Sequence, residues 1–178
     1  VKATEEDDGL DRYDGGSGSD TLDYSNLSEK ITVDISQAAT LDFDGVGAND
    51  TDAWQVDIAN TSDDDIIKGF ENIIGGSAND TIKADGNANT LQGGEGEDFL
   101  QGGDGNDEIY GFKKGSSEST LENDTVSYEY ITSTSESIDI DLENGTATVN
   151  PTDKDNLYSI ENVIAGSGDD TIKGSNVS

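Results

Sequence analysis

Three features of the 178-residue sequence predict an all-β fold of stacked nine-residue units. They are a repeat of period nine, an apolar residue at fixed phase in each repeat, and glycine gathered between those phases. The period is clearest from Gly75 to Tyr110, which runs unbroken as GGSANDTIK, ADGNANTLQ, GGEGEDFLQ and GGDGNDEIY. Asp or Asn stands sixth in each unit, and an apolar residue stands eighth. The same register recurs at GGSGSDTLD (Gly15 to Asp23) and AGSGDDTIK (Ala165 to Lys173). Counting back in phase adds 66–74 with Glu71 sixth, and 156–164 with Glu161 sixth. NDTVS adds Asp124, after an eight-residue insertion, FKKGSSES. The eighth-place column then reads Leu22, Ile73, Ile82, Leu91, Leu100, Ile109, Val126, Val163 and Ile172. A disordered segment has no need of an apolar residue at one phase, so the register argues for a fold.

Each place in the unit has a physical reason. Glycine in the turn permits positive φ and lets main-chain carbonyls converge. The eighth residue must point inward from a strand too short to have another core. One unit cannot bury it alone, so coils must stack about 4.8 Å apart. Stacking aligns the aspartates of successive turns, and they repel unless a cation taking about six to eight oxygens lies between them. On these residues the chain resembles the RTX family of calcium-binding nonapeptide repeats, GGxGxDxUx. The resemblance is strong in the tandem block and degenerate at Glu71, Asn89 and Glu161. It implies a parallel β-roll in which six residues form a turn and three a short strand. The expected ligands of several Ca²⁺ are Gly16, Gly18 and Asp20; Gly76, Ala78 and Asp80; Gly94, Gly96 and Asp98; Gly103, Gly105 and Asp107; Asp124; and Gly166, Gly168 and Asp170.

Composition bounds the rest. With 40 Asp+Glu against 9 Lys+Arg, the formal charge is −31, so nucleic acid and anionic membrane surfaces are poor partners. No apolar run is long enough for a membrane span. There is no Cys for disulfides, and no His or Cys for zinc, which leaves oxygen donors and hard cations. Catalysis is not expected: carboxylate pairs are too common here to mark an acid–base pair, and no apolar segment promises a cleft. The chain is expected to be one module, 1–178, monomeric, and a fragment of a larger protein, since it begins at Val1 and has no Met.

Taking the units in order and alternating them between two edges puts Asp20, Asp80, Asp98, Asp124 and Asp170 on one edge. Glu71, Asn89, Asp107 and Glu161 fall on the other. The first column is all Asp and most of its turns keep the glycines, so three or four calcium ions are expected there and at most one or two weaker ones opposite. Two excursions, Tyr24–Asp65 and Ser127–Asp155, interrupt the repeats with similar flanks. They suggest an internal duplication, 15–83 and 124–173, around the tandem block 75–110. Ile31, Val33 and Ile35, and Ile138, Ile140 and Leu142, alternate as strands do. Glu143-Asn144-Gly145 signals a hairpin. These excursions are expected as ribbons packed on one face of the roll. Trp54 reads as core rather than a sugar platform. The loop from Asp42 to Asp52 departs from the EF-hand order, with Val46 where Asp or Asn belongs, and reads as a solvated acidic loop. The leading functional expectation is a calcium-dependent folding module; the resemblance implies type I secretion and an extracellular place. The alternative is an adhesin or surface module whose excursions bind a glycan or protein.

Overall fold

A computed structural model describes residues 11–36, 53–59, 65–115 and 122–175. All regular structure among them is β. The strands are β1 (Arg12–Asp14), β2 (Thr21–Asp23), β3 (Ile31–Asp34), β4 (Ala53–Ile58), β5 (Asp65–Lys68), β6 (Asn72–Ile74), β7 (Thr81–Lys83) and β8 (Thr90–Gln92). They continue as β9 (Phe99–Gln101), β10 (Glu108–Tyr110), β11 (Thr125–Ser127), β12 (Asp139–Asp141), β13 (Thr146–Asn150), β14 (Asp153–Tyr158), β15 (Asn162–Ile164) and β16 (Thr171–Lys173). Two eight-stranded sheets result. Sheet I has the order β1-β5-β4-β3-β7-β9-β11-β15, and sheet II the order β16-β12-β13-β14-β10-β8-β6-β2.

From β6 to β11 the chain alternates between the sheets, so each pair of nonapeptides makes one coil of a parallel β-roll. The register follows the repeat. In sheet II Ile73 pairs with Leu91, which pairs with Ile109; in sheet I Ile82 pairs with Leu100, which pairs with Val126. Each three-residue strand turns its middle residue inward, as the period of two requires. Leu22, Ile73, Ile82, Leu91, Leu100, Ile109 and Val126 are fully buried in one cluster between the sheets. Val163 is only partly buried, and Ile172 is 49% exposed on β16, the outermost strand of sheet II.

The excursions enter the sheets; they do not lie on a face of the roll. In sheet I, β3, β4 and β5 form an antiparallel meander whose outer strands pair in parallel with β7 and β1. In sheet II, β12, β13 and β14 do the same between β16 and β10. The physical reason lies in their ends. A parallel roll leaves unpaired strand edges wherever a coil is interrupted, and a meander with parallel outer strands fills both. Ile31, Val33, Ile35, Ile138 and Ile140 are buried, and Leu142 packs against the core. Gly145, at φ 65°, closes the β12–β13 hairpin at the anticipated turn. Trp54 packs against the core cluster, partly buried, beside buried Val56 and Ile58. The Asp42–Asp52 loop lies outside the described residues.

Leu100→Ala should cost about 2–5 kcal/mol in the folded roll, read by urea unfolding in calcium, because both neighbouring coils cover Leu100. Ile172→Ala should move stability by no more than about 0.5 kcal/mol.

Candidate calcium-binding turns

The sixth-place residue of a turn sits where the chain enters a strand, and its carboxylate reaches the neighbouring coil. Asp98 Oδ1 accepts the main-chain N–H of Asp80 at 2.7 Å, and Asp124 Oδ1 accepts that of Asp98 at 2.8 Å. Asp80 Oδ1 in turn accepts the N–H of Ile31 at 2.9 Å, and Glu161 Oε2 accepts that of Asp124 at 2.9 Å. This ladder runs along the edge where the chain passes from sheet II to sheet I. On the opposite edge Glu71 Oε2 accepts the N–H of Asp20, Asp107 Oδ1 that of Asn89, and Asp155 Oδ1 that of Asp107, each at 2.9 Å. Asn89 Nδ2 donates to the carbonyl of Glu71 at 2.9 Å. Asp170 Oδ1 accepts the N–H of Ile138 at 3.0 Å, the counterpart of the Asp80–Ile31 bond.

The two columns therefore differ from those that counting nonapeptides predicts. Asp80, Asp98 and Asp124 do share an edge, but with Glu161. Asp20 stands with Glu71, Asn89 and Asp107, and Asp170 belongs to a turn leading from sheet I to sheet II. The cause is that each excursion fills a place in one sheet and so counts as half a coil, which inverts the alternation on either side of it. β5 and β14 are the returning strands, and Asp65 and Asp155 occupy sixth place ahead of buried Ile67 and Leu157. Ile67 pairs with Tyr13 and Leu157 with Ile109, in the register of true repeats. Three units thus escape the motif: those ending in Asp11–Tyr13, Asp65–Ile67 and Asp155–Leu157. The signal was an Asp two places before an apolar residue or tyrosine, with Gly9 alone kept ahead of Asp11 and no glycine ahead of Asp65 or Asp155.

Glycine is required in two ways. Gly93 stands first in its turn, and a Cβ there would lie 2.1 Å from Asp98 Oδ2. Gly102 stands in the same relation to Asp107 Oδ2. Gly96 and Gly105, in fourth place, hold φ of 113° and 121°, and a Cβ would meet the carbonyl oxygens of Ala78 and Asn87 at 2.7 and 2.6 Å. Carbonyls and carboxylates of successive turns are thereby pressed together. Gly16, Gly18, Gly94, Gly103 and Gly168 also have positive φ. Gly76 and Gly166 do not; each faces an excursion, with a Cβ falling 2.6 and 2.7 Å from the carbonyls of Leu27 and Ile131. Ala78 fills the fourth place where Gly18, Gly96, Gly105 and Gly168 stand in their units.

The electrostatics show a deficit of positive charge. Asp80, Asp98, Asp107 and Asp124 are all buried. Burial pushes the Asp98 carboxyl up to about 8, the Asp80 amide opposing it and the Asp80 and Asp124 charges adding to it. Burial likewise raises Asp107 to about 8, with Asp155 and Asp153 as the nearest negative charges. Asp80 rises less, to about 6, because Ile31 and Gly76 donate N–H groups to its two oxygens. Asp20 Oδ2, Asn89 Oδ1, Asp98 Oδ2, Asp107 Oδ2 and Asp153 Oδ1 are buried with no hydrogen-bond partner. Such orphaned oxygens fit a hard cation. No three acidic side chains close on one point among the described residues, so any such ion also needs main-chain carbonyls or water.

The comparisons agree with this chemistry. A family model for the RTX calcium-binding nonapeptide repeat matches in four copies, over residues 68–100, 84–111 and 159–176. No curated protein matches the chain.

Without metal, folding takes up protons at Asp98 and Asp107, whose folded values of about 8 exceed their ordinary 3.8. Stability in chelator should therefore be greatest below about pH 4 and fall as the pH rises through about 8. Circular dichroism across that range reads it, and a β signal that strengthens with pH would contradict the burial.

Proposed function

Because the chain carries RTX calcium-binding nonapeptide repeats on an all-β roll, we propose that it is a calcium-dependent folding and stabilising module. The orphaned oxygen of Asp98, buried between the Asp80 and Asp124 carboxylates, is the observation that carries this reading. A bound calcium supplies the positive charge that lets such carboxylates stay ionised while buried, and metal binding then contributes directly to folding free energy. Gly76, Ala78, Asp80, Gly94, Gly96, Asp98 and Asp124 would serve one edge. Gly16, Gly18, Asp20, Gly103, Gly105, Asp107, Gly166, Gly168 and Asp170 would serve the turns leading from sheet I to sheet II. Orphaned oxygens on both edges favour ions on both, against the one-sided arrangement expected from counting.

The reading extends to place and ancestry. Export as an unfolded chain and folding outside the cell suit a polypeptide with −31 charges, since compaction is opposed until calcium is abundant. Duplication of 15–83 and 124–173 is supported by repeated contacts. Tyr24 Oη donates to Asp65 and Tyr128 Oη to Asp155, both at 2.8 Å, while Ser77 and Ser167 donate to the carbonyls of Leu27 and Ile131. The meanders are built into the sheets, which favours a structural role for them over the adhesin reading; retention of a sugar on a glycan array in calcium would reverse that preference.

Far-UV circular dichroism with and without excess chelator is the test. The β signal should vanish in chelator and return on adding calcium, with Asp98→Asn raising the calcium midpoint by about tenfold through the lost ligand charge. A chain that keeps its β signal in chelator well above pH 8, where Asp98 and Asp107 are ionised, overturns the proposal.

A further inference from the structure

Along the edge that carries Asp107, the turn 102–107 does not stack on a second glycine-rich turn. Its outer neighbour is the segment Asn150-Pro151-Thr152-Asp153-Lys154-Asp155, which runs from the end of β13 into the start of β14 and has no glycine. Two bonds dock it: Asp155 Oδ1 accepts the Asp107 N–H at 2.9 Å, and Asn106 Oδ1 accepts the Lys154 N–H at 2.9 Å. Asp155 is satisfied at both oxygens, since Tyr128 Oη donates to Oδ2 at 2.8 Å.

Asp153 is different. It is 5% exposed, and its Oδ1 has no hydrogen-bond partner. Asp107, in the turn docked by Lys154 and Asp155, feels the Asp153 charge, is 0% exposed and has an orphaned Oδ2. Among the described residues, the lysines in ion pairs are committed elsewhere: Lys68 to Asp14, Lys114 to Glu108, and Lys173 to Asp141 and Glu143. Two buried carboxylates in adjacent layers, each with an open oxygen and no cation, are a costly arrangement unless something neutralises them. The apolar alternative, tighter packing, is closed by the glycines: a Cβ at Gly102 would already lie 2.1 Å from Asp107 Oδ2.

We propose that Asp153 and Asp107 share a hard divalent cation of the calcium class, bound between the turn 102–107 and the start of β14. The ion then draws a ligand from outside the nonapeptide motif and pins the second excursion to the roll. This rests on the calcium reading above. Main-chain carbonyls or water complete the shell, as no third acidic side chain among the described residues closes on the point. In the sequence Asp63 precedes Asp65 by the same two places, but Asp63 lies outside the described residues.

The test uses the full chain, with calcium as the probe. Isothermal titration gives the ion count and affinities of the wild type, Asp153→Asn, Asp153→Ala and the exposed control Asp139→Asn. Hydrogen exchange in saturating calcium follows β13 and β14 separately from the tandem strands. Both Asp153 variants should lose one ion, or weaken one site by at least about tenfold. They should lose amide protection in β13 and β14 while β7 to β11 stay protected, and the control should match the wild type. Wild-type ion count and affinities in Asp153 variants that fold in calcium would overturn the inference and leave the calcium reading intact; such a result means that Asp153 is buried in its protonated form. A wild type that binds no calcium would remove both.

Discussion

The bond from a sixth-place carboxylate to the main-chain N–H of the preceding coil is the interaction on which the roll depends. It closes a donor that the turn leaves unpaired, at 2.7 Å in the Asp80–Asp98 step, and it sets the spacing and register of everything that follows. The same bond forces like charges into a buried column. Asp80, Asp98 and Asp124 lie one above another, each bonded to the next, and only one oxygen of Asp98 is used in doing so. The ladder that orders the coils therefore creates the electrostatic problem that a cation solves.

That coupling explains why so little apolar material suffices. Each three-residue strand of the tandem block contributes one inward side chain, and the core there is a single file per sheet: Leu22, Ile73, Leu91, Ile109 and Leu157 in sheet II, and Val33, Ile82, Leu100 and Val126 in sheet I. Such a core rewards stacking but gives little to any one coil, so order propagates from neighbour to neighbour. Ions between the turns would reinforce the same axis, while the unneutralised remainder of the charge stays on the surface.

The excursions follow the same logic by another route. Tyr24 and Tyr128 place their hydroxyls on Asp65 and Asp155, which stand in the ladder positions of the returning strands. A neutral donor thus satisfies the carboxylate oxygen that at Asp98 and Asp107 is left open. Burial and the adjacent carboxylates push both phenols up, so they remain donors at any physiological pH. A tyrosine can fill this role only where a meander brings it across, which is why these two ladder steps need no glycine.

How much of this was legible in the residues depends on range. The nine-residue phase determined the turns, the inward column and the oxygen-donor chemistry, because each follows from contacts within a unit or between identical neighbours. Gly93, Asp98 and Leu100 carry their roles in their spacing alone. The tertiary structure decided which turns share an edge, because that depends on how many strands an excursion adds to a sheet. Three-stranded meanders returning in parallel moved Asp20, Glu161 and Asp170 out of the columns that counting gave them. It also revealed Asp65, Asp153 and Asp155 as members of the stack: their turns lack glycine, and only pairing with β1 and β10 puts them in register. A local repeat specifies its own coil; the parity between coils is a property of the closed sheet.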